Sequence, residues 1–272
     1  MLHLLLKRKR FWQNKMSFVK KVVQLFFILY LSVFAGSCGL DIYYVLEPVK
    51  DANPADNTRD ILVRYFEFTT NESVNESSGI FVGTSVYYKI YNNLSTLTSE
   101  ATSITSSNSE YTENGYNRMI SLGYKRMGVS TNIDPLIELG DSSLDRGVKI
   151  RLYTEGEASG DPYQATVTVG NVPLMDGGEY AIPLRSDGVS TFDFFPDNVS
   201  QKKLYVNGKA YNTIEPVSTD EDVKITESSE TSDKKVWYVN AYVVSVGRTP
   251  TFTLKYSALT SLGYLEISET NK

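Results

Sequence analysis

The sequence predicts an all-β fold, and three observations support that prediction. Short runs rich in Val, Ile, Thr, Phe and Tyr recur along the chain, which is the composition of β-strands. Gly, Asn and Asp separate most of these runs, as turns require. Apolar residues alternate with period two more often than they follow a helical period. We therefore expect one β-sandwich region over residues 58–272.

The predicted strands follow one another at short intervals, and the clearest is 79–91. In this strand Tyr87, Lys89 and Tyr91 form one face, and the apolar residues between them form the other. Gly83 predicts a bulge in it. In chain order the predicted strands are 61–69, 79–91, 122–129, 148–154, 162–170, the two halves of 203–211, 223–226, 236–247, 251–256 and 263–268.

The segment that follows the clearest strand has a different character. Ten of the fifteen residues from 95 to 109 are Ser or Thr, which is also the composition of a disordered linker. Leu94, Leu97, Ala101 and Ile104, however, are spaced by three, four and three residues, which is the apolar stripe of a helix. We expect one short helix near 94–107, and residues 116–122 can add another turn.

The second half of the region can be divided in two ways. Asn207-Gly208 between two apolar runs predicts a hairpin over 203–211. Either one sandwich continues to the C-terminus, or a second small β unit begins near residues 196–200. We favour one sandwich, because the last 76 residues are few for a separate core.

A tyrosine motif refines the fold prediction. Leu174, Gly177 and Tyr180 have the spacing L-x-x-G-x-x-Y after a Thr/Val strand. This resembles the tyrosine corner of fibronectin type III and immunoglobulin-like sandwiches, in which the tyrosine hydroxyl pins a strand crossover. Pro183 departs from that pattern because it lacks a backbone N–H. The resemblance implies an immunoglobulin/fibronectin III-like β-sandwich with insertions.

The N-terminus has the parts of a secretory signal. Lys20 and Lys21 precede an apolar run over 22–34, and Ala35-Gly36-Ser37 leads directly into Cys38. Small residues followed by a cysteine resemble the lipobox of bacterial lipoproteins. The resemblance implies that residues 1–37 are a signal peptide, that Cys38 is lipidated and first in the mature chain, and that 38–57 is a tether.

Two alternatives concern this N-terminus. Residues 1–15 make an unusually long basic leader, so translation can instead start at Met16. The uncharged run 22–40 has 19 residues, and at about 1.5 Å per residue its length is close to one hydrocarbon core. An uncleaved transmembrane anchor is therefore the alternative to a lipidated cysteine. Residues 42–49 are alternatively an edge strand rather than part of the tether.

Two further segments extend the resemblance. G-x-x-V-Y-Y-K-I-Y occurs at Gly83–Tyr91, and L-G-Y occurs at Leu262–Tyr264. Together with the lipobox they resemble lipoproteins of spirochaetes. The resemblance implies an exported, lipid-anchored protein held at the membrane through its N-terminal acyl chains.

Composition excludes several classes of function. The 37 leading residues hold seven of the 27 basic residues and none of the 32 acidic ones, so the mature chain carries a net charge of −12. Nucleic acid is therefore an unfavourable partner. The single histidine, His3, also lies in the leader, and the mature chain therefore lacks the residues for a Ser-His-Asp triad or a His/Cys zinc site. We expect no enzyme activity, no cofactor and no metal.

The candidate binding residues are aromatic. Tyr87 and Tyr91 share a strand face, and Tyr205 and Tyr211 flank the predicted hairpin turn. Aromatic faces stack on sugars and anchor protein interfaces. The alternative is that all four are ordinary strand tyrosines. The acidic runs 141–145 and 220–222 could bind calcium, but they lack the EF-hand pattern and are expected to be solvated turns.

These observations predict a lipid-anchored, non-enzymatic β-sandwich with a binding or structural role at the cell envelope. Its expected partner is an envelope or extracellular protein or a glycan, and the outer membrane or cell surface is its expected location. One alternative is a glycan-cleaving lipoprotein that uses two carboxylates. Another is a lipid-tethered solute-binding module with a tyrosine-lined pocket.

Overall fold

The structure is a computed structural model of the 272-residue chain. It describes residues 20–21, 23–27, 44–58, 64–129, 135–141, 144–152, 165–176, 178–186, 191–194, 203–206, 209–212, 216, 218–226 and 236–268. The chain forms two compact units, Met1–Tyr43 and Tyr44–Lys272. In the first unit residues 20–21 and 23–27 are helical. Within the described ranges no helix has both the length and the apolar character needed to cross a membrane.

The described residues of the unit Tyr44–Lys272 form β-strands and three helices. The helices are α1 Glu72–Asn75, followed by a 3₁₀ turn at Glu76–Ser78, α2 Leu94–Ser107 and α3 Asn114–Ser121. The strands are β1 Lys50–Asn53, β2 Phe66–Thr69, β3 Phe81–Tyr91, β4 Lys125–Arg126, β5 Ile137–Glu138, β6 Gly147–Arg151, β7 Thr166–Val169, β8 Val172–Pro173, β9 Met175–Asp176, β10 Glu179–Tyr180, β11 Leu184–Ser186, β12 Thr191–Asp193, β13 Lys203–Val206, β14 Lys209–Asn212, β15 Val223–Lys224, β16 Val236–Arg248, β17 Leu254–Tyr256 and β18 Thr260–Ser268.

Two sheets form the body of the domain. Sheet 1 has the antiparallel order β1-β2-β6-β7-β8. Sheet 2 is built on the long antiparallel pair β3 and β16. β17 and β18 share the far side of β16, while β4, β5 and the parallel strand β15 share the far side of β3. The all-β class predicted from the sequence is thus confirmed.

The two faces of β3 lie in two different cores. Val86, Tyr88 and Ile90 pack in the larger core between the two sheets, against Phe66 and Phe68 of sheet 1. Tyr87 and Tyr91 pack in a second core between sheet 2 and the helices. The predicted alternation of faces in β3 is correct, and both faces are buried because another layer covers each of them.

The serine- and threonine-rich segment forms α2 with the predicted bounds. Leu97 and Ile104 are buried against sheet 2, and Ala101 is half-buried. The side chain of Asn93 accepts a hydrogen bond from the Thr96 N–H at 2.8 Å and caps the helix. Together α2 and α3 form a helical layer over the outer face of sheet 2.

Gly83 lies at the predicted irregularity of β3. The pairing register with β16 shifts between Val246 and Gly247, opposite this glycine. Its φ is +150°, and a Cβ there would collide with the backbone oxygen of Ile137 in β5. Only glycine allows the two strands to approach this closely.

The folded domain includes part of the segment predicted as a tether. Leu46 and Val49 are buried, and Lys50–Asn53 forms β1. Ala55 donates its N–H to the Leu262 carbonyl at 3.1 Å, so this segment covers the free edge of β18. The part of 38–57 that precedes the folded domain is therefore only residues 38–43.

The possible division near residues 196–200 stays a prediction. Those residues lie outside the described ranges, but β12 pairs with β13 across them. Further along the chain β16 returns to sheet 2 beside β3. The antiparallel pair β13 and β14 confirms the predicted hairpin, and it closes the four-stranded sheet β11-β12-β13-β14.

The segment predicted as a tyrosine corner folds as a tight hairpin. Met175–Asp176 and Glu179–Tyr180 are antiparallel, and Tyr180 faces Met175 across the pair. A tyrosine corner joins two sheets, whereas this pair stays beside β7, where Leu174 donates to the Val167 carbonyl. The motif therefore does not establish a fibronectin-like crossover, since local turn geometry determined its conformation.

Candidate functional site

The candidate residues Tyr87 and Tyr91 lie beneath the helical layer. Only 6% of Tyr87 and none of Tyr91 is exposed, so neither ring can stack on a ligand at the surface. Of the two interpretations of these residues, their burial agrees with ordinary strand tyrosines. β3 is a central strand, and α2 and α3 cover the face that a two-layer sandwich would leave open.

A buried charge lies among these tyrosines. Lys89 donates to the Glu100 carboxylate at 2.7 Å and to the Leu122 carbonyl. Tyr91 donates its hydroxyl to the same Glu100 oxygen at 2.8 Å. The Lys89 ammonium also lies 5.1 Å from the centre of the Tyr91 ring, within reach of a cation–π interaction.

Burial changes the proton affinity of this cluster. Desolvation lowers the pKa of Lys89, and its hydrogen bond to Glu100 partly offsets that effect. Burial also raises the pKa of Tyr91, and the neighbouring Tyr124 and Glu100 raise it further. The cluster is therefore an enclosed ion pair with neutral phenols around it, an arrangement that connects α2 to β3.

The remaining rings of the second core form edge contacts and one stack. Tyr116 of α3 stacks on Tyr256 of β17 with ring centres 3.7 Å apart. Tyr124 packs edge-on against Tyr242 of β16 at 5.6 Å and accepts a hydrogen bond from Asn240 at 2.7 Å. These contacts attach the helical layer to sheet 2.

The other two candidate tyrosines belong to the four-stranded sheet. Tyr205 lies in β13 opposite Ala210, and Tyr211 lies in β14 opposite Leu204. Their side chains lie outside the described part of the structure. A binding role for them stays a prediction.

A second buried ion pair was not predicted from the sequence. Arg185 of β11 donates two hydrogen bonds to the carboxylate of Asp222, at 2.8 and 2.7 Å. Tyr88 donates its hydroxyl to Asp222 at 2.8 Å and accepts the Ser186 N–H at 2.6 Å. Asp222 has no exposed surface, which corrects the expectation of solvation for this residue, whereas Glu221 in the same turn is exposed.

Burial and the charge of Asp222 together determine the protonation of the groups around it. Burial by itself lowers the pKa of Arg185, but the hydrogen bonds and charge of Asp222 outweigh it and hold the pKa above its ordinary value. Burial and the Asp222 charge raise the pKa of Tyr88, so its hydroxyl stays protonated and can donate. The pair joins β3, β11 and the loop before β15.

Asp145, in one of the two acidic runs considered for calcium, and the nearby Glu72 are engaged by protein groups. Asp145 accepts hydrogen bonds from Lys50 at 2.6 Å and from the Ser73 N–H at 3.0 Å. Glu72 is buried and accepts from Arg146 at 2.8 Å and from the Gly140 N–H at 2.9 Å. Within the described ranges, no three His, Cys, Asp or Glu side chains are grouped to hold a metal ion.

The outer face of α2 carries a shallow groove of about 610 Å³. Thr98 and Thr102 donate their hydroxyls to the carbonyls four residues before them, at 2.9 and 2.8 Å. Their oxygens can still accept a hydrogen bond, while their methyl groups make the face partly apolar. The groove is lined by Leu94, Ser95, Thr98, Ser99 and Thr102.

Comparison of the chain with protein-family models, with curated proteins and with solved structures gives no match. Cys38, the predicted lipidation residue, lies outside the described residues. A functional proposal therefore depends on the sequence of the leader and on the geometry of the domain that follows it.

Proposed function

We propose that this chain is a lipid-anchored, exported protein of the cell envelope with a non-catalytic binding or structural role. The observation that carries the proposal is the short distance along the chain between the lipobox-like cysteine and the folded domain. Cys38 is six residues before Tyr44, where the compact domain begins. A lipid on Cys38 would hold the domain directly at a membrane surface, with the outer membrane or cell surface the favoured location.

The buried charges support a role without catalysis. A glycosidase needs two carboxylates that face a substrate cleft. Glu72, Glu100 and Asp222 each accept hydrogen bonds from an Arg or Lys of the same domain. These interactions connect layers of the fold, so the three acids are engaged within the domain.

The shape of the α2 groove supports an interaction surface for a protein or a glycan. The groove is open and lies on a single helix, and it combines hydroxyl oxygens with methyl groups. Such a surface suits a broad, weak contact better than an enclosed small-molecule site. The partner would approach from the side of the helical layer.

We further propose that the domain resembles a fibronectin type III sandwich only in the packing of sheets 1 and 2 against each other. Their facing side chains form the larger core, as in aligned sandwiches. The helical layer between β3 and β4 would then be the insertion that covers one sheet. The hairpin at Tyr180 contributes nothing to this relation.

The lipid anchor is tested by the intact mass of the protein extracted from membranes with detergent. We expect a chain that begins at Cys38 and carries acyl groups, and we expect Cys38→Ala either to leave the membrane fraction or to accumulate as unprocessed precursor. Ser37→Gly is the matched control, because it keeps a small residue before the cysteine and should be processed normally. A mass that retains residues 22–37 would contradict lipidation and indicate a transmembrane anchor.

A further inference from the structure

Most of the exposed large apolar side chains in the described part of the domain lie at one of its ends. β1, β3, β6, β8 and β17 begin at this end, and β2, β7 and β16 finish there. We call it the tether end, because the chain enters the domain there at Tyr44. It consists of residues 44–49, 70–80, 108–113, 139–141, 144–146, 170–171 and 249–253, with the first residue of β8.

Hydrogen bonds show that the loops of both sheets meet at the tether end. Asn75 accepts the Glu47 N–H at 2.7 Å just before β1, and it donates to the Ser245 hydroxyl of β16 at 3.3 Å. Gly170, at the end of β7, donates to the Gly147 carbonyl at the start of β6 at 2.8 Å. These hydrogen bonds show that the loops of both sheets lie at the same end of the domain.

The loop between α2 and α3 reaches the same end. Glu113 accepts the Tyr256 N–H at 3.2 Å and lies 3.6 Å from the Lys255 ammonium. Lys255 belongs to β17, which follows the hairpin turn at 249–253. Tyr111 is two residues before Glu113, and Phe252 is three residues before Lys255. This ion pair therefore brings the segments of both aromatic residues together.

Exposed apolar side chains are concentrated at the tether end. Among the described residues of this domain nine large hydrophobic side chains are exposed, and six of them lie here. Phe252 is 82% exposed and Tyr111 is 71% exposed, whereas Leu94 lies at the opposite end. The six are Val45, Val74, Tyr111, Leu144, Val172 and Phe252.

The two aromatic residues are held in an unfavourable backbone conformation. Tyr111 and Phe252 both have φ of +62°, a region that bulky residues rarely occupy. The Phe252 turn is fixed by its own N–H donating to the Thr249 carbonyl at 2.8 Å and by Thr253 donating to the Thr249 hydroxyl at 3.1 Å. Such strain at exposed aromatic residues is typical of functional positions.

We infer that the tether end docks on a lipid bilayer, with Phe252, Tyr111 and the neighbouring aliphatic side chains inserted into its interfacial region. The inference rests on the proposed membrane anchor. The six residue steps from Cys38 to Tyr44 extend over at most about 22 Å. An anchored Cys38 therefore keeps Tyr44, where the tether end begins, within about 22 Å of the membrane surface.

A lipid surface suits these residues better than a protein partner does. The side chains extend from six separate segments, as insertion into a fluid interface allows, and aromatic residues favour the interfacial region. The predicted mature charge of −12 gives no general attraction to anionic lipid, so insertion has to supply the affinity. Arg248 is exposed at the base of the Phe252 hairpin, where its guanidinium can reach a lipid phosphate.

The test uses tryptophan fluorescence in the full-length protein in nanodiscs. Phe252→Trp and the control Leu94→Trp are each reconstituted in phosphatidylcholine nanodiscs, with and without bromine on the acyl chains. Wild-type protein supplies the background emission of native tryptophans such as the buried Trp237. We expect brominated lipid to quench most of the added emission at residue 252 and to leave that at residue 94 unchanged.

The outcomes separate this inference from the membrane anchor. Protein that co-elutes with nanodiscs but shows no quenching at residue 252 overturns the docking. Equal quenching at residues 252 and 94 overturns it as well. Protein that does not co-elute with nanodiscs overturns the anchor, and the docking with it. Quenching confined to residue 252 supports the docking.

Discussion

At the scale of single residues, the domain depends on a few charges buried between its layers. Arg185 and Asp222 are almost fully enclosed, as are Lys89 and Glu72. Each has an oppositely charged partner within hydrogen-bonding distance. A buried pair adds little net stability, but the loss of one partner leaves the other charge uncompensated. These residues should therefore be sensitive to substitutions that preserve shape and remove charge.

The Asp222→Asn variant tests this sensitivity. It should reduce the free energy of unfolding by as much as about 3–5 kcal/mol, because the buried Arg185 would lose the Asp222 carboxylate and keep its hydrogen bond to the partly exposed Asp220, at 3.0 Å. Urea unfolding of the detergent-solubilised protein measures the loss. Glu221→Gln is the matched control, since Glu221 is largely exposed in its pair with Lys125, and it should cost under about 1 kcal/mol. Equal effects of the two variants would show that the Arg185 pair has no special weight.

A pH effect on stability should follow from Asp145, which pairs with Lys50 near the surface. The hydrogen bonds from Lys50 and Ser73 outweigh desolvation and hold the pKa of Asp145 below its ordinary value of 3.8. The unfolded chain then binds more protons than the folded one, so stability is present above this range and is lost as the pH falls through the lowered pKa.

Comparison of Asp145→Asn with the wild type measures that contribution. The difference in thermal midpoint should be constant at neutral pH and should shrink as the pH falls below the ordinary carboxyl range. Asp141→Asn, in the same loop and exposed, is the control and should show no such trend. A difference that persists unchanged at acid pH would assign the loss to packing instead.

At the scale of elements, α2 shows how a weak helix former becomes helical. Serine and threonine have only moderate helix propensity. Burial of Leu97 and Ile104 against sheet 2 compensates for this low propensity, and Asn93 caps the first turn. The helix in turn covers Tyr87 and Tyr91, so its formation decides whether that strand face is a core or a surface.

Ile104→Ala tests the contribution of the helical layer. Removing a side chain with no exposed surface should reduce the free energy of unfolding by about 2–5 kcal/mol. Thr102→Ala, on the outer face, should change it by less than about 0.5 kcal/mol. Chemical denaturation followed by tyrosine absorbance gives both values and reports exposure of the buried rings. A similar loss in both variants would show that the stripe does not face the core.

At the scale of the whole molecule, β3 and β16 form the centre of three layers. Each is bonded to neighbours on both edges and covered on both faces. Hydrogen exchange should therefore be slowest in peptides from these two strands and much faster in the two-residue strands β9 and β10, where Met175 is exposed. Exchange of β3 and β16 as fast as that of β9 and β10 would contradict this order of stability.

Much of the strand content could be predicted from local pattern. The alternation in β3, the Asn-Gly hairpin and the apolar stripe of α2 are properties of neighbouring residues, and the structure has each of them. The burial of Tyr87 and Tyr91 could not be predicted, because alternation gives two faces and does not say which of them a further layer covers. The pairing of Arg185 with Asp222, 37 residues apart, had no local signal.

The sequence by itself determined the all-β class, the positions of the long strands β3 and β16 and the helix 94–107, because each depends on residues close together in the chain. Only the tertiary structure decided that the tyrosine face is a core, that Asp222 is buried, and that Tyr111 and Phe252 lie at the end where the chain enters. Those properties depend on contacts between distant segments, and a local pattern of residues carries no information about which distant segments meet.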